Sequence, residues 1–267
     1  MDLLAHFNFR AMPFTREVLV SELFAHPQRD DITDAILRII DQRMSGALIA
    51  PAGFGKTTLL RTVRDRLPEV RYDVRYVKVT SLSKRDMCRE ISAALGLRSA
   101  GTYPSLVRAM QEAVSHRVAD DGVRTVLILD EAHDMRPDVL SMLRVLTNFD
   151  MDSRLVLSVL LVGQPPLAKM LRRADLEDLT QRIAWFGSLR ALSRAEVTAY
   201  VDHRCRIAGA SEPPFDDRAM ATLYEMGRGN PRATDRLARR ALETAHRAGD
   251  ACVGAQHVIA ARATLQP

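Results

Sequence analysis

A chain of 267 residues is too long for one minimal domain and too short for three, so one medium α/β domain with a small companion is expected. Hydrophobic residues at 47% and charged residues at 27% exclude wholesale disorder. A net charge of +5 with a pI near 9.4 permits contact with nucleic acid or an acidic surface without demanding it. Of the 38 basic residues only Lys56, Lys78, Lys84 and Lys169 are lysines, an arginine bias that genome base composition also produces.

The opening MDLLAHFNFR has no basic stretch followed by an apolar one, so no signal peptide is visible and the cytoplasm is the expected compartment. It leads through Phe7, Phe9, Pro13 and Phe14 into residues 31–44, where Ile32, Ile36, Ile39, Ile40 and Met44 recur at helical spacing. A short apolar strand, Ala47–Ala50, follows, then a Gly-rich turn and a helix from Lys56 to Leu67 that stops at Pro68. A second strand alternates through Val74, Tyr76, Lys78 and Thr80, and helices are expected over Lys84–Leu95 and Tyr103–Val118. The third and fourth strands are Thr125–Asp130 and Arg154–Gly163, with a helix over Pro137–Thr147 between them; a fifth extended segment covers Trp185–Leu192. The apolar runs Val126–Leu129 and Leu155–Gly163 fall far short of the roughly 20 residues of a membrane-spanning helix and read as buried strands.

Strands alternating with helices imply a mostly parallel sheet covered on both faces. Ser193-x-x-Glu196 has the pattern of a capping box, and beyond it every segment is helical in pattern: 194–208, 216–227, 231–247 and 255–265. The domain division expected is therefore 1–192 for the α/β core, opening segment included, and 193–267 for a small helical unit. Cys88, Cys205 and Cys252 are scattered, odd in number and without C-x-x-C pairing, so they read as buried thiols.

The motif richest in chemistry is Ala50-Pro51-Ala52-Gly53-Phe54-Gly55-Lys56-Thr57, with Thr58 following, between a predicted strand and a predicted helix. Gly53 and Gly55 tolerate the unusual backbone angles that turn successive N–H groups onto a phosphate, and the helix adds its positive end. Lys56 would reach the β- and γ-oxygens of ATP, and the Thr57 hydroxyl would ligate Mg²⁺. Ala50 stands where the usual motif has glycine, and still fits a tight turn. About 75 residues on, Val126-Leu127-Ile128-Leu129-Asp130-Glu131 is a buried strand ending in two carboxylates, the end of a parallel strand where ligands bind. Asp130 would hold Mg²⁺ through its water, and Glu131 would orient and deprotonate the attacking water. Asp130-Glu131-Ala132-His133 also spells a helicase box, but such helicases need a second recombinase-like domain, and His133 reads as a local hydrogen-bonding residue. Gln164, at the end of the fourth strand, is placed to sense a γ-phosphate or position water, or else to turn the chain. Arg182 and Arg232, the latter in Gly229-Asn230-Pro231-Arg232, could each stabilise charge on the γ-phosphate or lie on the surface.

With these motifs in this order, the chain resembles AAA+ ATPases of the ExeA-like group almost end to end. Phe7-x-Phe9 with Met12-Pro13-Phe14, Gly163-Gln164-Pro165-Pro166-Leu167 and Leu189-x-x-Leu192-Ser193-Arg194 strengthen the likeness. The resemblance implies a P-loop AAA+ core with a parallel five-stranded sheet in the order 5-1-4-3-2, followed by an all-helical lid. It also implies Gln164 as sensor 1, Arg182 as the finger acting on a neighbour's ATP in a homo-oligomer, and Arg232 as sensor 2.

Secretion-type members of the group carry a membrane span and a peptidoglycan-binding region beyond the ATPase. Their absence before Pro267 makes the expected partner a transposase and the expected role transposition regulation, as in ATPases resembling TnsC, TniB, IstB and MuB. Such a protein would assemble as a ring, spiral or filament on double-stranded DNA, largely without regard to sequence, and contact no membrane. Lys84 and Arg85 at a helix start would then touch DNA. The alternatives are an ExeA-type secretion or envelope-assembly ATPase and a stand-alone AAA+ regulatory or signalling ATPase.

Overall fold

A computed structural model describes residues 2–149 and 155–264. In chain order its elements are α1 (Leu3–His6), α2 (Pro27–Asp41), β1 (Ser45–Ile49), α3 (Lys56–Arg66), β2 (Tyr72–Lys78), α4 (Lys84–Ala94), α5 (Tyr103–Asp120) and β3 (Arg124–Asp130). There follow α6 (Pro137–Leu146), β4 (Leu157–Gly163), α7 (Pro165–Leu171), α8 (Glu177–Thr180), β5 (Ile183–Ser188), α9 (Arg194–Ile207), α10 (Asp217–Gly227), α11 (Pro231–Ala248) and α12 (Ala255–Ala263). Two compact units emerge: an α/β unit of Pro27–Ala52 and Lys56–Leu189, and a helical unit of Met1–His26, Gly53–Gly55 and Arg190–Pro267.

In the α/β unit the five strands are parallel in the order β2-β3-β4-β1-β5, the expected order read from the other edge. β4 is buried along its whole length and β3 everywhere but its first residue, which is why both read as unbroken apolar runs. β2 lies at an edge, so it alternates: Val77 and Val79 face the core while Tyr76, Lys78 and Thr80 face out. Two strands stop sooner than expected because their partners end, and β4 begins at Leu157, after Leu155 and Val156. β2 stops at Lys78 opposite Asp130, the last residue of β3, and β5 stops at Ser188 opposite Ile49, the last of β1. Arg154, the expected start of the fourth strand, lies outside the described residues. Between β4 and β5 the chain forms α7 and α8, which the sequence reading left out. Pro165 and Pro166 look like breakers, yet they occupy the first positions of α7, where a missing N–H costs nothing.

The helical unit packs α9 to α12 around Val201, Leu223, Ala241 and Leu242, all fully buried. The capping box is present: Ser193 N donates to Glu196 Oε2 at 2.7 Å, and Glu196 N donates to Ser193 Oγ at 3.3 Å. The opening segment belongs to this unit and not to the α/β unit with which the 1–192 division had placed it. The reason lies in its aromatic residues. Phe7, Phe9 and Phe14 are buried in the helical core, and Phe14 meets the edge of Phe215 at a ring separation of 6.1 Å. Arg10 N and Ala11 N both donate to Ala208 O, at 2.8 and 3.1 Å.

Cys88 and Cys205 are buried, but Cys252 is exposed. It lies in the turn between α11 and α12, where the neighbouring Val253 takes the inward position and bridges to Phe215. No helix among the described residues is long and apolar enough to cross a membrane.

Candidate active site

The carboxyl ends of β1, β3 and β4 gather the predicted residues of the α/β unit. Ala50 N donates to Gly163 O at 3.0 Å, which ties the start of the loop after β1 to the end of β4. Gly53 and Gly55 have φ of +84° and +89°, angles that side chains with a Cβ resist. α3 begins directly at Lys56, so the loop's N–H groups and the helix's positive end face one region. Lys56 is only 6% exposed. Its ammonium group donates to Ala50 O at 3.0 Å and Pro51 O at 3.3 Å, so the charge is held inside the curl of the loop. Pro51, Ala52 and Thr57 are exposed, and Phe54 and Thr58 half-buried.

Asp130 ends β3 buried, yet both carboxylate oxygens are partnered. Oδ1 accepts from Glu131 N and Oδ2 from the hydroxyl of Tyr76 on β2, each at 2.9 Å. Burial, and then the bond to Asp130, push the Tyr76 phenol well above its usual range, so it stays a donor. Glu131 sits in the left-handed region at φ +58°, an uncommon conformation for a residue with a side chain, of the kind that clusters at functional sites. Its Oε2 is buried with no hydrogen-bond partner of good geometry, 3.4 Å from His133 Nδ1. His133 Nε2 in turn lies 2.8 Å from Gln164 Nε2. Gly163 makes this approach possible, since a Cβ there would stand 3.2 Å from His133 N and 2.9 Å from a Leu167 methyl.

Arg182 lies half-buried between α8 and β5, its N–H donating to Leu179 O at 3.0 Å. In the helical unit Asn230 caps α11 through Ala233 N at 3.2 Å, and Arg232 N donates to Gly53 O at 3.3 Å. Lys84 and Arg85 open α4 behind the Ser83 cap. Arg85 is engaged with Gly101 O at 3.1 Å, and Asp86 beside it carries a carboxylate lowered by its bonds to Ser83 and Arg89, so the helix start is of mixed charge. A separate cleft of about 570 Å³ opens at the amino ends of β2 and β3, away from these residues. Three of its charged residues pair with one another, Asp73 with Arg75 at 2.6 Å and with Arg117.

Sequence reasoning missed Tyr76 as a site residue and the central place of His133. Parallel register puts Tyr76 and Lys78 of β2 beside Ile128 and Asp130 of β3, a pairing that no spacing along the chain reveals. Chemically the arrangement offers a curled loop with a buried cation, a buried carboxylate fixed by two donors, and a second carboxylate held at the strand end. Thr57 and Asp130 supply the hard oxygen donors that suit Mg²⁺.

Fold and loop together define a P-loop AAA+ ATPase. Residues 38–171, about half the chain, match the family described as "AAA domain", and the chain belongs to it. It is 35% identical over 205 residues to the general secretion pathway protein A of Aeromonas hydrophila, a match covering 76% of this chain but only 37% of that protein. Among solved structures the ORC2 protein of Aeropyrum pernix superposes with a TM-score of 0.73 at 17% identity, over 96% of this chain and 72% of that one. The Thermotoga maritima RuvB Holliday junction branch migration motor gives 0.63 at 19%, over 94% and 73%. At such identities these two likenesses show the fold alone.

Proposed function

We propose that this chain is the ATPase of a secretion or envelope-assembly system, working from the cytoplasmic side, where ATP is available. The 35% identity to general secretion pathway protein A carries this reading. It outweighs the expectation of a transposition regulator, which rested on where the chain stops.

In this proposal Lys56 and the loop N–H groups from Gly53 to Thr57 hold the triphosphate, with Ala50 to Ala52 and Thr58 framing them. Thr57 and Asp130 would hold Mg²⁺, which when bound offsets the negative charge of the β- and γ-phosphates. Tyr76 fixes the Asp130 carboxylate. Glu131 orients a water and takes its proton, Gln164 senses the γ-phosphate, and Arg232 and a neighbour's Arg182 answer the charge that develops there. The observation behind the catalytic roles is the convergence of Asp130, Glu131, His133 and Gln164 at two adjacent strand ends.

The experiment is genetic and biochemical. Cells carrying Lys56→Ala in place of the wild-type protein should lose exported proteins from the culture medium, and the purified wild type should hydrolyse ATP without DNA. A second reading, ATP-dependent assembly on DNA in the service of a transposase, draws on the likeness to ORC proteins, one of which was solved in complex with DNA. Undiminished export by Lys56→Ala cells, together with ATP-dependent binding of labelled duplex by Glu131→Gln, would replace the first reading with the second.

A further inference from the structure

We propose that His133 is a positioning residue that couples Gln164 to Glu131. Its ring donates either to Glu131 through Nδ1 or to Gln164 through Nε2, so that a ligand engaging the Gln164 amide releases Glu131. The inference deepens the proposed function and rests on its assignments of Glu131 as base and Gln164 as phosphate sensor.

Three contacts meet on one ring. Nε2 lies 2.8 Å from Gln164 Nε2, while Nδ1 lies 3.4 Å from Glu131 Oε2 and 3.4 Å from the backbone N of Gln164. A neutral imidazole carries a single proton, so these cannot all be hydrogen bonds at once. If Gln164 presents its amino group, Nε2 must accept it. The proton is then on Nδ1, which faces Glu131 Oε2. If the carboxamide turns through half a circle and presents its oxygen, Nε2 must donate. Nδ1 is then an acceptor for Gln164 N–H, and Glu131 Oε2 faces no donor on the ring.

The second arrangement directs the Gln164 amino group away from the ring, free to donate to a phosphate oxygen. Passing from the first to the second, one proton leaves Nδ1 for water and another reaches Nε2 from water, and the ring's charge is unchanged. Glu131 Oε2 is buried and has no other hydrogen-bond partner among the described residues, so its state is decided at His133. An imidazole N–H on Oε2 stabilises the charge of the carboxylate and fixes its orientation, which makes Glu131 a poorer base toward water. Hydrolysis would thus quicken when Gln164 is engaged. Asp134 Oδ1, 3.7 Å from Nε2 and exposed, is outside bonding reach and leaves the choice to Gln164. Gly163 keeps the strand end close enough for all three contacts.

The test follows the ring itself. With ¹⁵N-labelled histidine, the His133 signal is identified among the seven histidines by its loss in His133→Asn. The expected result is a change from the Nδ1–H to the Nε2–H form on adding Mg²⁺ with a non-hydrolysable ATP analogue, and no change in Gln164→Ala. In steady-state kinetics Gln164→Ala should lower kcat at least about 10-fold with nucleotide Kd nearly unchanged, because Glu131 stays held, whereas His133→Ala should keep or raise turnover, because it frees Glu131. The double variant should be faster than Gln164→Ala, because without the ring Gln164 no longer controls Glu131. An unchanged tautomer, or a double variant as slow as Gln164→Ala, would overturn the coupling while Glu131→Gln remained inactive. Wild-type turnover by Glu131→Gln would overturn the base assignment, and the coupling with it.

Discussion

At the scale of single residues, the site depends on groups held against their ordinary preferences. Glu131 carries a side chain at φ +58° and a buried carboxylate oxygen without a good partner, two costs the fold bears at one position. Glu131→Gln keeps shape and backbone but loses the proposed base. ATP binding should persist while hydrolysis falls at least about 100-fold, as measured by phosphate release. Glu131→Gly should lose turnover equally, yet melt at a higher temperature than the wild type because glycine accepts this φ. A lower melting temperature would show that the side chain serves the fold. Tyr76 is the second such residue, since its hydroxyl orients Asp130 from the neighbouring strand. Tyr76→Phe should raise the Mg²⁺ concentration needed for half-maximal ATPase by about 10-fold, the scale at which outer partners tune metal ligands. An unchanged Mg²⁺ titration would remove Tyr76 from the site.

At the scale of elements, the helical unit is built around a buried ionic network that its surface hides. Arg204 of α9 donates to Tyr200 at 3.0 Å and to Asp235 of α11 at 3.3 Å, and reaches Thr15 O of the opening segment. Burial pushes the Asp235 carboxyl up to about 6, against the opposing pull of Arg204 and Tyr200. The folded state therefore binds this proton more tightly than the unfolded chain does. The stability it contributes is full below the unfolded value near 3.8 and is lost as pH rises through about 6. Denaturant titrations of wild type and Asp235→Asn at pH 4 and pH 7 should show the wild type losing on the order of 2–3 kcal/mol relative to the variant between them. A difference that does not change with pH would contradict the assignment. Elements of this kind also mark how far the sequence could be read. Buried strands, the loop at Ala50–Thr57 and the Ser193 cap were legible because each is a local pattern with a local cause. The prolines that open α7, the attachment of Phe7, Phe9 and Phe14 to the helical core, and the Tyr76–Asp130 bond were not. Each depends on residues distant in the chain, which periodicity and spacing do not register.

At the scale of the whole molecule, the proposed Arg182 finger requires a second copy, because a finger of this kind acts on the neighbour's nucleotide. Arg182 precedes β5, while the phosphate loop follows β1, which pairs with β5 along the sheet. Arg182→Ala should therefore bind ATP normally and hydrolyse it poorly, since guanidinium charge at the γ-phosphate contributes to the transition state more than to ground-state binding. Lys56→Ala should fail earlier, because it removes the loop's buried cation and with it nucleotide binding. Each inactive variant retains what the other lacks. In a mixed oligomer, a Lys56→Ala subunit can present its arginine to the intact loop of an Arg182→Ala subunit, and some interfaces become complete. Phosphate release from mixtures at several ratios should thus exceed the sum of the separate variants and peak when neither is scarce. Mixed oligomers confirmed by native mass spectrometry but showing no activity at any ratio would place Arg182 outside the neighbour's site.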